Sequence, residues 1–247
     1  MKSEFIQSLG DQGIRRDRDR RFWIALVILS AIGTAAATRR IVELGSAPPA
    51  GSSEFAGLEA RFADKASTTL LHIVPSLLFV LLVPLQFVSS LRRRYRRFHR
   101  WTGRLIMGLG LAIGISALWL SAHPVGGVVE GAATMFFGSL FLLSLGKAWW
   151  HIRNERIELH REWVIRMVAT ALGAATTRPI MAVFFATTRL TGLTPEQFFG
   201  PAMWLGFIST CLAGEAWIRY TRPQAAHNRS EPIPFYGMQM TKEGDEL

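Results

Sequence analysis

Long apolar stretches dominate the pattern of hydrophobic and polar positions along this chain. A helix needs about 20 apolar residues to cross a bilayer, and six stretches are that long or nearly so: residues 22–38, 68–90, 102–121, 128–150, 163–187 and 201–218. None of them alternates with a period of two, which disfavours a membrane β-barrel. None carries the polar stripe that a helix of a soluble bundle presents to water. The pattern predicts an all-α polytopic membrane helical bundle with about six transmembrane helices.

Hydrophilic segments flank and separate these stretches. Residues 1–21 form a basic N-terminal segment, 22–218 the transmembrane domain, and 219–247 a tail that we expect to be flexible. The loop after the first stretch is rich in Pro, Gly and Ser, and residues 54–64 within it predict a short helix. A second interpretation of the first stretch is a cleavable signal peptide, because small residues follow a basic region and an apolar run. The long, mixed-charge region before it favours a retained helix.

The basic residues give this bundle an orientation. The chain carries 28 Lys and Arg against 18 Asp and Glu, a formal net charge of +10. If the N-terminus is cytoplasmic, 22 of the 28 basic residues fall on the cytoplasmic side, in the N-terminal segment, the second and third inner segments and the tail. This asymmetry satisfies the positive-inside rule with both termini in the cytoplasm. It explains the charge without a nucleic-acid partner and predicts contact with anionic lipid headgroups at the inner face.

Composition narrows the remaining classes of protein. A hydrophobic share of 49% excludes a disordered chain, and a single cysteine, Cys211, excludes a disulfide scaffold. The chain has no His-Glu-x-x-His, no Cys pair, no Gly-x-Ser-x-Gly and no phosphate-binding Gly loop. No catalytic residue is therefore predicted, and no metal site other than a haem iron. Glu215 and Arg219, four residues apart, predict an interfacial ion pair.

Three polar side chains inside the spans are candidate binding residues, because such groups are costly in a bilayer. Arg178 lies in the outer third of the fifth span, His72 lies at about the same depth in the second, and Gln86 lies closer to the inner leaflet. One hypothesis is that His72, Gln86 and Arg178 line a cavity that binds or transports a small molecule. The alternative is that His72 and Gln86 form interhelical hydrogen bonds and that Arg178 bonds nearby backbone or reaches outer phosphates.

Three histidines, His99, His151 and His160, lie at the inner interface, and the segments around His99 and His160 are similar. His99 and His160 are 61 residues apart, and both segments contain His-Arg, a Trp and a further Arg. The two segments open spans that run in the same direction. This similarity indicates a weak internal repeat in which spans two and three correspond to spans four and five.

A glycine-rich face follows His99 in the third span. Gly103, Gly110 and Gly114 share this face, which allows close helix packing or leaves room for a flat cofactor. Two imidazoles from different helices are the axial ligands that a b-type haem requires. His99 and His160 are therefore candidate haem ligands. On the outer side, His72 is a further candidate ligand, assisted by Arg178 or by His123.

The order of these polar residues resembles a known family. The pattern is His72 and Gln86, then Arg97-x-His99-Arg100-x-x-Gly103-Arg104, then His160-Arg161-Glu162-Trp163-x-x-Arg166, and finally Arg178. It resembles a bacterial family of predicted multi-pass membrane proteins known as domain of unknown function 2306, over residues 67–188. The resemblance implies the architecture and groups these polar residues together, but it implies no reaction. The pattern is also distantly similar to haem-binding four-helix cytochromes b, in which the axial histidines lie deeper in the helices.

Three functional hypotheses follow. The protein is a membrane electron carrier that binds haem b, a transporter or binding protein with an intramembrane polar cavity, or a structural or sensory envelope protein whose polar groups join the helices. In each case we expect it in the bacterial inner (cytoplasmic) membrane, in contact with the lipid bilayer, and a homo-oligomer is compatible with all three. The first two hypotheses assign different roles to His72 and Arg178.

Overall fold

The computed structural model describes residues 2–45, 65–124, 126–192 and 194–222 of the chain. This part of the chain is helical and contains no strand. In chain order the helices are α1 (Lys2–Gly45), α2 (Ala66–Phe87), α3 (Ser89–Arg94), α4 (Arg96–Ser121), α5 (Val128–Arg153), α6 (Ile157–Thr191) and α7 (Pro195–Thr221). The all-α prediction is confirmed.

Five helices surround a central apolar core. Each packs against the next in the order α1, α2, α4, α5 and α6, and α6 also contacts α1. Every one of them contributes to the core, whose buried members are Leu26, Phe79, Val83, Ile106, Phe141, Leu145, Met167, Val168 and Leu172. Helix α7 supplies none of these residues and packs against α6 and α5.

Large apolar side chains cover the outside of the bundle. Leu71 is 62% exposed and Val183 is 65% exposed, while small polar residues such as Ser144 and Thr170 are fully buried inside. This distribution is the reverse of that in a water-soluble bundle. It is expected where lipid covers the outer surface and helices approach each other through small residues.

The membrane bundle predicted from the sequence is confirmed. Among the described residues, five helical segments are long and apolar enough to cross a membrane: 19–45 in α1, the whole of α2, α4 and α5, and 157–187 in α6. Helix α7, which contains the sixth predicted stretch, has 27 residues and is therefore about 40 Å long at 1.5 Å per residue. It has the length to span a bilayer, but it is not among the five candidate spans.

Helical structure extends beyond the apolar stretches in three places. Helix α1 begins at Lys2, within the segment predicted as a basic extension. Helix α4 begins at Arg96, six residues before the predicted span, and α7 continues to Thr221. Arginine is a good helix former, so a helix passes readily from the apolar stretch into the charged interface. The predicted short helix at 54–64 and most of the predicted tail lie outside the described residues.

The chain bends between α2 and α4. Val88 has an extended backbone (φ −70°, ψ 107°) and ends α2, while Tyr95 (φ −123°, ψ 62°) separates α3 from α4. The short helix α3 between them carries Arg92, Arg93 and Arg94 in its last turn. The predicted span of 68–90 is therefore shorter and is followed by a separate basic helix.

The basic segments gather at one end of the bundle, which we call the inner end. There α2, α5 and α7 finish and α4 and α6 begin. Phe22 of α1 lies 5.7 Å from Phe87 of α2 and stacks on Trp217 of α7 at 4.4 Å between ring centroids. We call the opposite end the outer end. The structure thus groups the charges as the positive-inside rule expects, and the orientation in the membrane stays a prediction.

Candidate functional site

His160 is held in one tautomer at the start of α6. Its Nδ1 lies 2.8 Å from the backbone carbonyl oxygen of Ala148 in α5. A carbonyl oxygen only accepts, so Nδ1 carries the hydrogen and donates it. In the neutral ring this leaves Nε2 with a free lone pair. Histidines that bind metals have this arrangement, in which the second ring nitrogen donates to a carbonyl or a carboxylate.

Two further histidines lie near His160. His99, in the first turn of α4, is half-buried and within electrostatic range of His160. His151, in the last turn of α5, is also within that range. It is 7% exposed, and its Nδ1 is buried without a hydrogen-bond partner among the described residues. The inner end therefore gathers three imidazoles from three helices.

His151 was not among the predicted site residues. In the sequence it follows Trp149 and Trp150 at the end of a span, which is typical of a side chain exposed at the membrane surface. Packing buries it instead, with the ring of Trp150 edge-on at 4.8 Å between centroids. The short turn at 154–156 keeps His151 within electrostatic range of His160, and the packing of the helices, which the sequence does not show, buries it.

A network of charged side chains borders the histidines. The guanidinium of Arg222 donates to both carboxylate oxygens of Glu162, at 2.7 and 2.9 Å. Arg166 lies 3.7 Å from Glu162 and binds both oxygens of Glu215, the second at 3.2 Å. The hydrogen bond to Glu162 raises the pKa of Arg222, which keeps its charge. Two cations and two carboxylates therefore balance at the junction of α6 and α7.

The segment of 160–166 joins α6 to its neighbours. Arg161 donates to the Thr221 hydroxyl at 2.8 Å, and the guanidinium of Arg166 lies 4.7 Å from the ring centroid of Trp163.

The sequence predicts an ion pair between Glu215 and Arg219, and this prediction is wrong. Glu215 binds Arg166 of α6 instead, since the side of α7 that carries Glu215 packs on α6. The spacing of four residues within one helix gave no information about this partner.

His72 and Gln86 each bond to helix α4, at different depths. The Nδ1 of His72 lies 2.9 Å from the Ser116 hydroxyl, and Gln86 donates to the Thr102 hydroxyl at 2.6 Å. Ser116 is 4% exposed and Thr102 is 2% exposed, so both bonds are at the interface between α2 and α4. These contacts are the interhelical hydrogen bonds that the sequence offered as one alternative.

Arg178 lies apart from these pairs. It is exposed on α6, within electrostatic range of Arg39, Arg40 and Glu43 at the outer end of α1. Among the described residues, no hydrogen bond or ion pair joins it to His72 or Gln86. A role for the three residues in one cavity stays a prediction.

The glycine face of α4 is filled by side chains along most of its length. A Cβ at Gly110 would lie 2.9 Å from Leu145, and one at Gly114 would overlap Leu142. Both leucines belong to α5, so these glycines allow close helix packing and leave no room for a flat cofactor. Near His99 the face is more open, since a Cβ at Gly103 would meet only Gln86, at 3.5 Å. Space for a cofactor beside this helix is thus limited to its inner end.

A half-open cavity of about 200 Å³ lies at the outer end. It is lined by Lys65, Thr68, Trp119, Leu120 and His123. The ammonium group of Lys65 donates one of its hydrogens to the backbone carbonyl of His123, at 2.8 Å. Ligand pockets are usually larger, about 300–1,000 Å³, so this cavity suits at most a small group.

Within the described part of the chain, no three His, Cys, Asp or Glu side chains are arranged to hold a metal ion. A site made by protein ligands alone is thus not found there. A haem iron is a different case, because the porphyrin supplies four ligands and the protein only one or two.

Comparison with known proteins gives one match. The model of a family of predicted membrane proteins (DUF2306) matches residues 69–218. The matched region starts in α2 and includes most of α7, so it extends about 30 residues beyond the core expected from the sequence. Comparisons with curated proteins and with solved structures found no match.

Proposed function

The chain belongs to the family of predicted membrane proteins DUF2306, whose description assigns no activity, and from the histidines of the inner end we propose that it is a membrane electron carrier that binds b-type haem between His99 and His160. The proposal rests on one observation. The Nδ1–H of His160 is bonded to the Ala148 carbonyl, which leaves Nε2 available, and His99 lies within electrostatic range of this ring. We place the protein in the bacterial inner membrane, with the histidines on the cytoplasmic side.

The residues present fit this cofactor chemically. Two imidazoles from different helices match the axial ligand set of a six-coordinate haem, and the Nδ1–H of His160 already has the carbonyl partner typical of a ligand histidine. Arg92 lies within electrostatic range of His99. Its positive charge would pair with the propionate carboxylates of a bound haem. When bound, the haem would supply one-electron transfer.

The surrounding residues would set the environment of the group. The ion pairs of Glu162 with Arg222 and Arg166 fix the start of α6, so they hold the His160 ring in position. The protein would bind and orient the haem through residues of α4, α5 and α6.

The absorption spectrum of the purified protein tests the proposal. We expect a red preparation from haem-replete cells, with a Soret band and about one haem per chain. Replacing His99 or His160 with Ala should remove one axial ligand and convert a low-spin spectrum to a high-spin one, or abolish the band. His123→Ala, at the outer end, is the matched control and should keep the wild-type spectrum.

A colourless wild-type protein without haem in pyridine extracts would overturn the proposal, as would unchanged spectra in both histidine variants. If His160→Ala fails to fold, His99→Ala alone decides the question, since no hydrogen bond of its side chain within the described residues would be lost. If neither variant changed the spectrum or the phenotype but both lowered stability, the structural or sensory hypothesis would be favoured.

The exposed basic face beside His99 supports a second role, contact with anionic lipid headgroups. From Arg92 to Arg104 the chain has seven arginines and no acidic residue, and Tyr95, Phe98 and Trp101 are exposed among them. Positive charge mixed with exposed aromatic rings is typical of a membrane surface contact. Thermal stabilisation by phosphatidylglycerol but not phosphatidylcholine should fall in an R93Q/R96Q/R97Q variant, and equal stabilisation would exclude this role.

The proposals of a transported small molecule and of a homo-oligomer are less supported. His72 and Gln86 already have partners in α4, so a ligand would have to compete with those hydrogen bonds. Arg178 is the residue of that group with the clearest potential for a ligand.

A further inference from the structure

The segment that leads from α2 to His99 has little to hold it in place. From Val88 to Trp101, a stretch that the structure describes in full, no residue is buried. Tyr95 precedes α4 and makes no side-chain cap hydrogen bond within the described residues. The first bond of the helix joins the His99 amide to the Tyr95 carbonyl, at 3.0 Å. Capping and burial normally fix the start of a helix, so the position of His99 is set elsewhere.

Thr102 is the first buried residue of α4, and it is 2% exposed. Its hydroxyl accepts a hydrogen bond from the side-chain amide of Gln86, at 2.6 Å between Nε2 and Oγ1. The same hydroxyl lies 2.8 Å from the carbonyl oxygen of Phe98 and 3.2 Å from that of His99, and it has one hydrogen to donate to them. Gln86 is therefore bonded to the helical turn that carries His99.

Gln86 contacts this turn at a second point. It is the second-last residue of α2, and a Cβ at Gly103 would lie 3.5 Å from its Oε1, with no other atom of the described residues within 4 Å. The side chain thus lies over Gly103 while it bonds to Thr102. A rotation of α4 about its axis, or a shift along it, would break both contacts.

We propose that Gln86 is a positioning residue for His99, which acts through the Thr102 hydroxyl to set the rotation and depth of the first turns of α4. This inference rests on the proposed haem site, in which His99 and His160 present their rings to one iron. The ring of His160 is oriented by the carbonyl of Ala148. His99 has no side-chain hydrogen bond within the described residues, so the placement of its ring depends on the placement of its own backbone.

The test compares haem binding by full-length variants, with haem titrated in detergent into protein purified without it. Gln86→Leu removes the amide donor, and Thr102→Val removes the hydroxyl while it keeps the shape of the side chain. Each should raise the dissociation constant for haem about tenfold, the lower end of the effect expected when groups that orient a metal ligand are replaced. Each should also shift the ferric spectrum towards high spin. Thr102→Ser keeps the hydroxyl and should bind haem as the wild type does.

The double variant Gln86→Leu/Thr102→Val shows whether the two residues act together. It should bind haem no more weakly than either single variant, because their mutual hydrogen bond can be lost only once. Ser116→Ala is the matched control, since it removes a hydrogen bond between the same two helices at the outer end. It should lower thermal stability but keep the wild-type haem affinity and spectrum.

Three results would overturn this inference and leave the haem proposal standing. The first is wild-type affinity and spectrum in both Gln86→Leu and Thr102→Val. The second is a double variant whose loss of affinity equals the product of the two single losses. The third is an equal loss in Ser116→Ala, which would mean that any weakened packing of α2 on α4 has this effect.

If Gln86→Leu fails to fold, the comparison of Thr102→Val with Thr102→Ser decides the question, since only the first of these loses the hydroxyl. A wild-type protein that binds no haem would overturn the haem proposal and this inference together.

Discussion

At the scale of single residues, Glu162 has the most connected side chain at the inner end. It is 8% exposed, accepts two hydrogen bonds from Arg222 and lies 3.7 Å from Arg166. A carboxylate with so little exposure is stable only because these cations surround it. The residue therefore determines how the start of α6 meets the end of α7.

Replacing Glu162 with Gln should lower stability by about 2 kcal/mol, the order expected for lost charge-assisted hydrogen bonds. The change keeps the shape of the side chain but leaves Arg222 and Arg166 without their shared carboxylate. Thermal or denaturant unfolding in detergent measures the effect.

Glu158→Gln provides the control for that measurement. Glu158 lies one turn earlier on α6 and is exposed, so its replacement should change stability by less than about 0.5 kcal/mol. Equal effects of the two replacements would mean that the network around Glu162 contributes nothing specific.

At the scale of helices, α6 and α7 approach through two glycines. A Cβ at Gly206 would lie 2.9 Å from the backbone nitrogen of Thr177 and 3.0 Å from the carbonyl oxygen of Gly173. These atoms belong to the backbone of α6, so they cannot move as a flexible side chain would. The pairing of α7 with the bundle thus depends on the absence of side chains at this crossing.

Gly206→Ala should therefore separate α7 from α6 and destabilise the protein by about 1–3 kcal/mol, as overpacking does in tightly packed interiors. The gain in helix propensity from Gly to Ala, about 1 kcal/mol, offsets part of this cost. Unfolding in detergent again provides the measurement.

Gly146→Ala is the matched substitution in an open position, because a Cβ there has no neighbour within 4 Å. It should leave stability unchanged or raise it slightly through the same gain in propensity. If Gly206→Ala behaved like Gly146→Ala, the close approach of α6 and α7 would be refuted.

At the scale of the whole molecule, the basic inner end predicts the orientation in the membrane. Single cysteines at Arg93 and at His123 mark the two ends in a Cys211→Ser background. With both termini in the cytoplasm, a membrane-impermeant maleimide should label the cysteine at 123 in intact cells and the cysteine at 93 only after lysis.

The outer position at 123 serves as the internal control for reagent access in this labelling experiment. The reverse labelling pattern would show that the inner end faces outward. In that case the positive-inside prediction would be wrong, and so would the cytoplasmic position of the histidines.

Much of the fold was predictable from the sequence because each apolar stretch carries its own signal. Five of the six predicted stretches became membrane-spanning candidates, and the sixth lies within α7. Helix ends were less predictable, as at Arg96 and Thr221, since an apolar run does not show where a charged helical extension stops. The haem and cavity predictions remain to be tested.

The candidate site was only partly predictable for a different reason. The sequence was enough to identify His72, His99, His160 and Arg178. Polar residues are rare in or beside a membrane span, so each of them stands out among apolar neighbours. The structure pairs His72 with Ser116, Gln86 with Thr102 and His160 with the carbonyl of Ala148. These partners are ordinary residues or backbone atoms, and nothing in their local sequence marks them. Contacts between residues distant in the chain depend on which faces of two helices meet.

The sequence by itself determined that this protein is an all-α membrane bundle. Each polar side chain placed in lipid has a free-energy cost, and the sum of these costs depends only on the residues of the helix that contains them. Only the tertiary structure decided that the glycine face of α4 is filled by α5, that His151 is buried, and that Glu215 binds Arg166. These outcomes depend on the rotation and depth of one helix against another. That relation is set by packing across the whole core and is encoded in no single segment.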